Sequence, residues 1–271
     1  MDSRILFLGS AGDSFTVSRQ SLGSGGFIIQ SEGYQFHVDP GPGTLNQMNN
    51  FQVNPRETTT LFITNRSYIH SNDINAVISA MTLGGADQNG VVIANPEVVN
   101  GSEKEIPALY NACKNFPERI ISPMPGQRIG IENIEIHTLK TKNDNPFVFG
   151  LKFITPKFVL SYSGDTRYSK EIVEQYSDSD VLILNVTHPF NEKSNCCFNA
   201  DDVVKIIQEA RPNLTILTHF GKKLQESNPM YVARDIHSRT SSEVICARAG
   251  LSVNPVSFSS TVMQSKLNQF G

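Results

Sequence analysis

The chain has 271 residues, 39% of them apolar, with 23 Lys and Arg against 26 Asp and Glu for a formal charge of -3. That balance is ordinary for a globular protein and excludes a global electrostatic drive toward nucleic acid or anionic membrane. No apolar run approaches the roughly 20 residues of a membrane helix, so no membrane partner is expected.

The opening segment MDSRILFLGSAGDS lacks a basic stretch before an apolar core and reads as a first strand, over 4–8, rather than a signal peptide. Residues 26–30 and 34–38 pair as a hairpin around the turn SEG. DPGPG at 39–43 is a sharp loop, and 61–64 a short buried strand. A helix is predicted over 72–82, because Ile74, Val77, Ile78 and Met81 recur at i, i+3, i+4 and i+7. A buried strand over 90–94, a helix over 103–115 and short strands at 120–122, 127–129 and 134–139 follow.

The second half opens with a hairpin of 148–155 and 157–163, then a helix over 169–176 and a mostly apolar strand at 181–186. A helix over 199–210 has Asn199 as its cap, with Val203, Ile206, Ile207 and Ala210 on its inner face. A strand at 214–218, a helix opened by Asn228 and Pro229, and strands over 243–248 and from 253 close the chain. Hairpin-rich sheet followed by helices therefore occurs twice. Two such halves stack sheet on sheet with helices outside, an α/β class, four-layer α/β/β/α sandwich expected as a single domain over 1–271. Its strand-end loops meet along one edge, where open sheets place ligands.

Three polar residues stand just after apolar strands: His70 after LFIT, Asp165 after FVLSYSG and His219 after LTILT. Two histidines and a carboxylate suit one divalent transition metal with a water in an open position. Each residue alone also has a bland reading as a capping or packing group. The four cysteines, Cys113, Cys196, Cys197 and Cys246, show neither paired zinc spacing nor a disulfide framework, which points to reduced thiols and a cytoplasmic location. LGSGG at 22–26 is followed by neither GK[ST] nor a clear helix, so it is not a phosphate loop. His37 and His137 lie within strands and read as structural, and His237 as a surface residue of a late helix.

FHVDPGPG at 36–43, SYSGDT at 161–166 and ILTHFG at 216–221 together resemble the metallo-β-lactamase superfamily, over nearly the whole chain. The resemblance implies the four-layer fold of that type. It makes Asp39 the aspartate that supports the metal loop, Asp165 the bridging aspartate and His219 the last histidine. It aligns the turn NRSYIH with the signature HxHxDH, so that His70 keeps the final place. Asn65, Ser67 and Ile69 then stand where two histidines and an aspartate would be, and Asn143 where a further histidine would be. Three of the seven implied ligands remain.

The losses fall unevenly. Asn65, Ser67 and Asn143 empty the first metal site, since neither an amide nor a hydroxyl replaces imidazole as a strong zinc ligand. The second site lacks only the aspartate at Ile69. One divalent metal, zinc foremost, is thus expected on His70, Asp165 and His219, or none at all. Asp165 is the candidate catalytic carboxylate. Asp39, His188 and Cys197 are candidates for supporting or substrate-side roles, Cys197 also because the resemblance places a histidine near it. Arg66, Lys142 and Arg167 flank the emptied positions and are candidate anion contacts.

Two functions compete. One is a weak, mononuclear metal-dependent hydrolase of an ester, phosphodiester or β-lactam bond, with a small molecule or phosphodiester as substrate. The other is a catalytically inactive relative that binds a ligand, a nucleic acid or a partner protein. A third reading makes Cys197 a nucleophile with His188 or His219 as its base. No residue pattern defines an oligomeric state.

Overall fold

The computed structural model describes residues 3–264. The first half of the chain supplies strands β1 (Arg4–Phe7), β2 (Phe27–Ser31), β3 (Tyr34–Val38), β4 (Thr58–Ile63), β5 (Val91–Ala94) and β6 (Arg119–Ile121). The second half supplies β7 (Arg128–Ile131), β8 (Ile134–Lys140), β9 (Phe149–Ile154), β10 (Val159–Tyr162), β11 (Val181–His188), β12 (Phe198–Asn199), β13 (Leu214–Thr218) and β14 (Glu243–Cys246). The chain then returns to the first sheet with β15 (Leu251–Val253) and β16 (Ser260–Val262). One sheet has the order β16-β15-β1-β2-β3-β4-β5-β6, and the other β14-β13-β11-β10-β9-β8-β7, with β12 paired to β11.

Period-two alternation divides these strands between layers. Ile5, Phe7, Phe36 and Phe62 of one sheet pack against Ile136, Phe153, Leu160 and Ile183 of the other in one buried cluster. Residues one position out of step face the helices. Leu61 and Ile63 pack against helix α4 (Ile74–Thr82), and Leu182 and Leu184 against helices α7 (Ala200–Ala210) and α9 (Pro229–Thr240). The result is the expected sandwich of two sheets between two helical layers. Ile74, Val77, Ile78 and Met81 are all buried, and Asn199 caps α7 through Asp202 N–H.

The helix expected over 72–82 forms as α4, and a separate short helix, α3 (Tyr68–Ser71), precedes it. Asp73 separates the two: its N–H donates to Pro40 O at 2.9 Å, and its carboxylate accepts from Gly43 and Thr44 N–H, each at 2.9 Å. The break ties the His70 turn to the DPGPG loop. The helix expected over 103–115 does not form. A shorter helix, α5 (Pro96–Asn100), lies upstream, and only a 3-10 turn, Asn111–Cys113, lies within the range. Pro107 lacks an N–H and disfavours helical backbone at Ile106, which breaks the pattern there. Helices α1 (Ser14–Arg19), α2 (Thr44–Asn50) and α8 (Lys222–Glu226) form from stretches with no strong periodic signal, and α6 (Lys170–Glu174) is shorter than expected. Among the described residues no helix is long and apolar enough to cross a membrane.

Candidate metal centre

The carboxyl ends of β3, β4, β10 and β13 open on one edge and deliver Asp39, Asn65, Asp165 and His219 there. Two of these hold left-handed backbone, Asp39 at φ 56° and His219 at φ 62°, a conformation kept only where the surroundings enforce it. Around His219 the enforcement is visible. Phe220 N–H donates to Ser10 O at 2.7 Å and Gly12 N–H to Phe220 O at 3.0 Å. A Cβ on Gly12 would lie 2.0 Å from His219 O, so only glycine permits this approach. Asp39 is held by Thr64, whose N–H and hydroxyl both donate to it at 2.8 Å.

His70, Asp165 and His219 converge. One ligand atom from each lies within 4.8 Å of the other two, and all three residues are buried. The His70 and His219 rings stack with centroids 4.7 Å apart. Asp39 Oδ2 sits 2.9 Å from His70 Nδ1, and Asp165 Oδ2 sits 2.9 Å from His70 Nε2. His219 Nε2 lies 3.4 Å from Asp165 Oδ1. Tyr162 donates to Asp39 Oδ2 at 2.9 Å, and Asn185 donates to Asp165 Oδ1 at 2.8 Å.

Charge follows this geometry. Burial disfavours the imidazolium of His70, but the Asp165 and Asp39 carboxylates on its two nitrogens overcome that and raise its pKa well above 6.5. Burial likewise works against the Asp165 carboxylate, and His70 beside it holds its pKa below the usual range. His219 has no second carboxylate, so burial prevails and pushes it down to about 4. Burial and the Asp39 charge keep the Tyr162 phenol protonated, as a hydrogen-bond donor.

The Asn65 and Asn143 side chains, which the resemblance aligns with lost ligands, are hydrogen-bonded around Asp165. Asn65 Nδ2 donates to Asp165 Oδ2 at 3.0 Å, and its Oδ1 accepts from Ser67 N–H at 3.0 Å. Asn143 Nδ2 donates to the Asp165 carbonyl at 2.9 Å. Ile69 lines a cavity of about 30 Å³ with His70, His219, Asn185 and Ser10, room enough for a water molecule. Asn185 Oδ1 and Ser10 Oγ are buried there without a protein partner.

The flanking cations turn outward. Arg66 pairs with Glu105, Arg167 pairs with Asp144 at 2.7 Å, and Lys142 is exposed. Asp165 and Asp39 are thus neutralised by an imidazole and by neutral donors. His188 ends β11, with Nδ1 2.9 Å from Thr187 Oγ1, and stands outside the cluster. Asp165 caps no helix, since α6 has Ser169 at its start. Cys197 Sγ does reach the centre, 3.4 Å from Asp165 Oδ1, but is not one of the converging ligand atoms. Its hydrogen bond to Cys196 and its burial raise its pKa well above the ordinary thiol value. His37 is buried and His237 exposed. Asn185 and Tyr162 were not evident beforehand. The one available signal was a lone Asn in the apolar run VLILNV, since a buried amide must find partners.

The donor set fits one divalent metal. Two imidazoles and a carboxylate converge, and His70 has its far nitrogen on a carboxylate, the arrangement that orients a ligating histidine. Asn65 and Asn143 direct their side-chain amides to Asp165, and Ser67 engages through its backbone. A family model described as the beta-lactamase superfamily domain matches residues 34–220.

The chain belongs to the metallo-β-lactamase superfamily. This superfamily member is 30% identical over 257 residues to an uncharacterized protein of Methanocaldococcus jannaschii, covering 93% of this chain and 95% of that one. It is 22% identical over 271 residues to a ribonuclease Z of Methanosarcina mazei, covering 81% and 88%. Its fold matches the metallo-β-lactamase fold protein YhfI from Bacillus subtilis with a TM-score of 0.77 at 17% identity, over 93% of this chain and 99% of that one. Family and fold agree with the resemblance read from the three motifs.

Proposed function

We propose that this metallo-β-lactamase-fold protein is a hydrolase of phosphodiester bonds that works with one divalent metal, held by His70 Nε2, Asp165 and His219 Nε2. The observation that supports it is the convergence of those three ligand atoms within 4.8 Å, with His70 already oriented by Asp39. When bound, the metal supplies Lewis acidity and an activated water near neutral pH. The protein's own groups supply the rest. Tyr162 and Thr64 hold Asp39, Asp39 fixes the His70 ring, and Asn65 and Asn185 fix Asp165. Asp165 is then the carboxylate placed to hold and orient the attacking water. Zinc suits the nitrogen-rich donor set best, and four free cysteines suit a reducing, cytoplasmic setting. The ribonuclease Z relative favours a phosphodiester over an ester or a β-lactam. The test is hydrolysis of bis(4-nitrophenyl) phosphate by zinc-loaded protein. Turnover that is lost in Asp165→Asn supports the proposal, and no turnover by a zinc-loaded wild type overturns it.

A second reading, an inactive relative that binds a ligand, nucleic acid or partner, is favoured by one observation. Asn65 donates to the same Asp165 oxygen that faces His70, so the network closes on itself without a metal. Arg66 and Arg167 are engaged with acidic residues, which leaves Lys142 as the free anion contact of the three candidates. Lys142→Glu weakens anionic ligand binding on this reading and leaves the fold intact.

A further inference from the structure

Cys196 and Cys197 are adjacent in the chain yet play opposite parts. Cys196 is exposed, and Cys197 is 1% exposed. Their sulfurs are 3.3 Å apart. The buried sulfur also lies 3.4 Å from Asp165 Oδ1. The single thiol proton of Cys197 therefore has two acceptors, the Cys196 sulfur and the Asp165 carboxylate. Cys113 and Cys246 belong to other places in the fold, Cys113 in the core under α4 and Cys246 on β14 beside Pro229 O.

We propose that Cys196 and Cys197 are a redox-modification site, an accessible thiol and a shielded resolving thiol, which a small disulfide such as glutathione disulfide converts to a vicinal disulfide at the edge of the metal centre. The Cys196 thiolate attacks one sulfur of glutathione disulfide, forming a mixed disulfide and releasing one glutathione. The Cys197 sulfur then attacks the Cys196 sulfur while its proton passes to the departing glutathione sulfur, which releases the second glutathione as a thiol. Two protein thiols lose two electrons and two protons, and glutathione disulfide gains both as two thiols.

Geometry makes the product reversible. Adjacent Cα atoms are about 3.8 Å apart, below the roughly 4.4 Å at which ordinary disulfides begin. A bond closed over that span is strained, and strained disulfides are the readily reduced, regulatory ones. Closure also removes the S–H that faces Asp165 Oδ1. Oxidation at an exposed sulfur therefore strips one hydrogen-bond donor from the carboxylate of the buried centre. This inference does not depend on metal binding or on hydrolysis.

The experiment treats the full chain with glutathione disulfide and follows intact mass and thiol count, with peptide mapping. The expected product has lost two thiols together. Its mass is lower by two hydrogens, the bond maps within the one peptide that holds both residues, and dithiothreitol restores both thiols. Cys197→Ser should stop at a stable glutathione adduct on Cys196, and Cys196→Ser should leave Cys197 unmodified. A wild type that stops at the glutathione adduct, links to a second chain through Cys196, or shows no reaction at either residue overturns the proposal.

Discussion

The Asp39 carboxylate sits 2.9 Å from Nδ1 of His70 and so turns Nε2 of that ring toward Asp165 and the candidate metal position. Asp39 is itself fixed by four donor groups, the Thr64 N–H and hydroxyl, Tyr162 and His70. An amide in its place accepts on one atom only and leaves donors unpaired. Asp39→Asn should weaken zinc binding by about 10- to 100-fold, the usual effect of losing such a carboxylate. Competition against a chromophoric chelator measures it.

Ile69 lines the cavity beside His70 and His219, at the position that the resemblance aligns with an aspartate. Ile69→Asp should tighten zinc binding by at least about tenfold, by adding an oxygen ligand to a nitrogen-rich set. The same change should lower the melting temperature of the metal-free protein, because a third carboxylate joins Asp39 and Asp165 in a buried space. Unchanged affinity would place the metal elsewhere.

Zinc binding should release about one proton and strengthen with rising pH. The raised pKa of His70 means that the metal-free ring holds a proton on both nitrogens at neutral pH, and a metal on Nε2 replaces one of them. Affinity should increase by about tenfold per pH unit until His70 deprotonates by itself. Calorimetry in buffers of different ionisation enthalpy counts the proton.

Much of this was legible in the chain, and the reasons for the gaps are physical. Alternation such as Leu61, Phe62, Ile63 announces a strand with two buried faces, and the two sheets follow. Asp165 and His219 stand out because a polar residue just after a buried strand lies on the ligand-bearing edge, and His70 stands out in the turn and short helix that follow β4. Asn185 and Tyr162 hide inside strands, where a polar group carries no periodic mark, and their roles depend on partners 20 or more residues away. Asn65 reads as a lost ligand, yet its amide donates to Asp165, a contact between residues 100 apart in the chain that spacing cannot reveal. Arg66 and Arg167 turn outward because Glu105 and Asp144 stand near them in the fold.

His37 should make the metal-free protein less stable as pH falls below neutrality. His37 is buried with Nε2 3.0 Å from Gly25 O, and burial pushes its pKa down to about 4. The unfolded chain takes up a proton near 6.5 that the folded chain refuses until about 4. Falling pH through that window therefore favours unfolding, by about 2 kcal/mol at pH 5 for this residue. Urea titrations at pH 7 and pH 5 should show the loss, and His37→Gln should reduce the pH dependence.

The most direct measurement is the metal content of tag-free protein after dialysis against trace zinc, by elemental analysis of the wild type, His70→Ala and His219→Ala. About one zinc per chain in the wild type and almost none in either variant is the predicted result. No zinc in the wild type, or the same content in all three proteins, would contradict a metal centre on His70, Asp165 and His219.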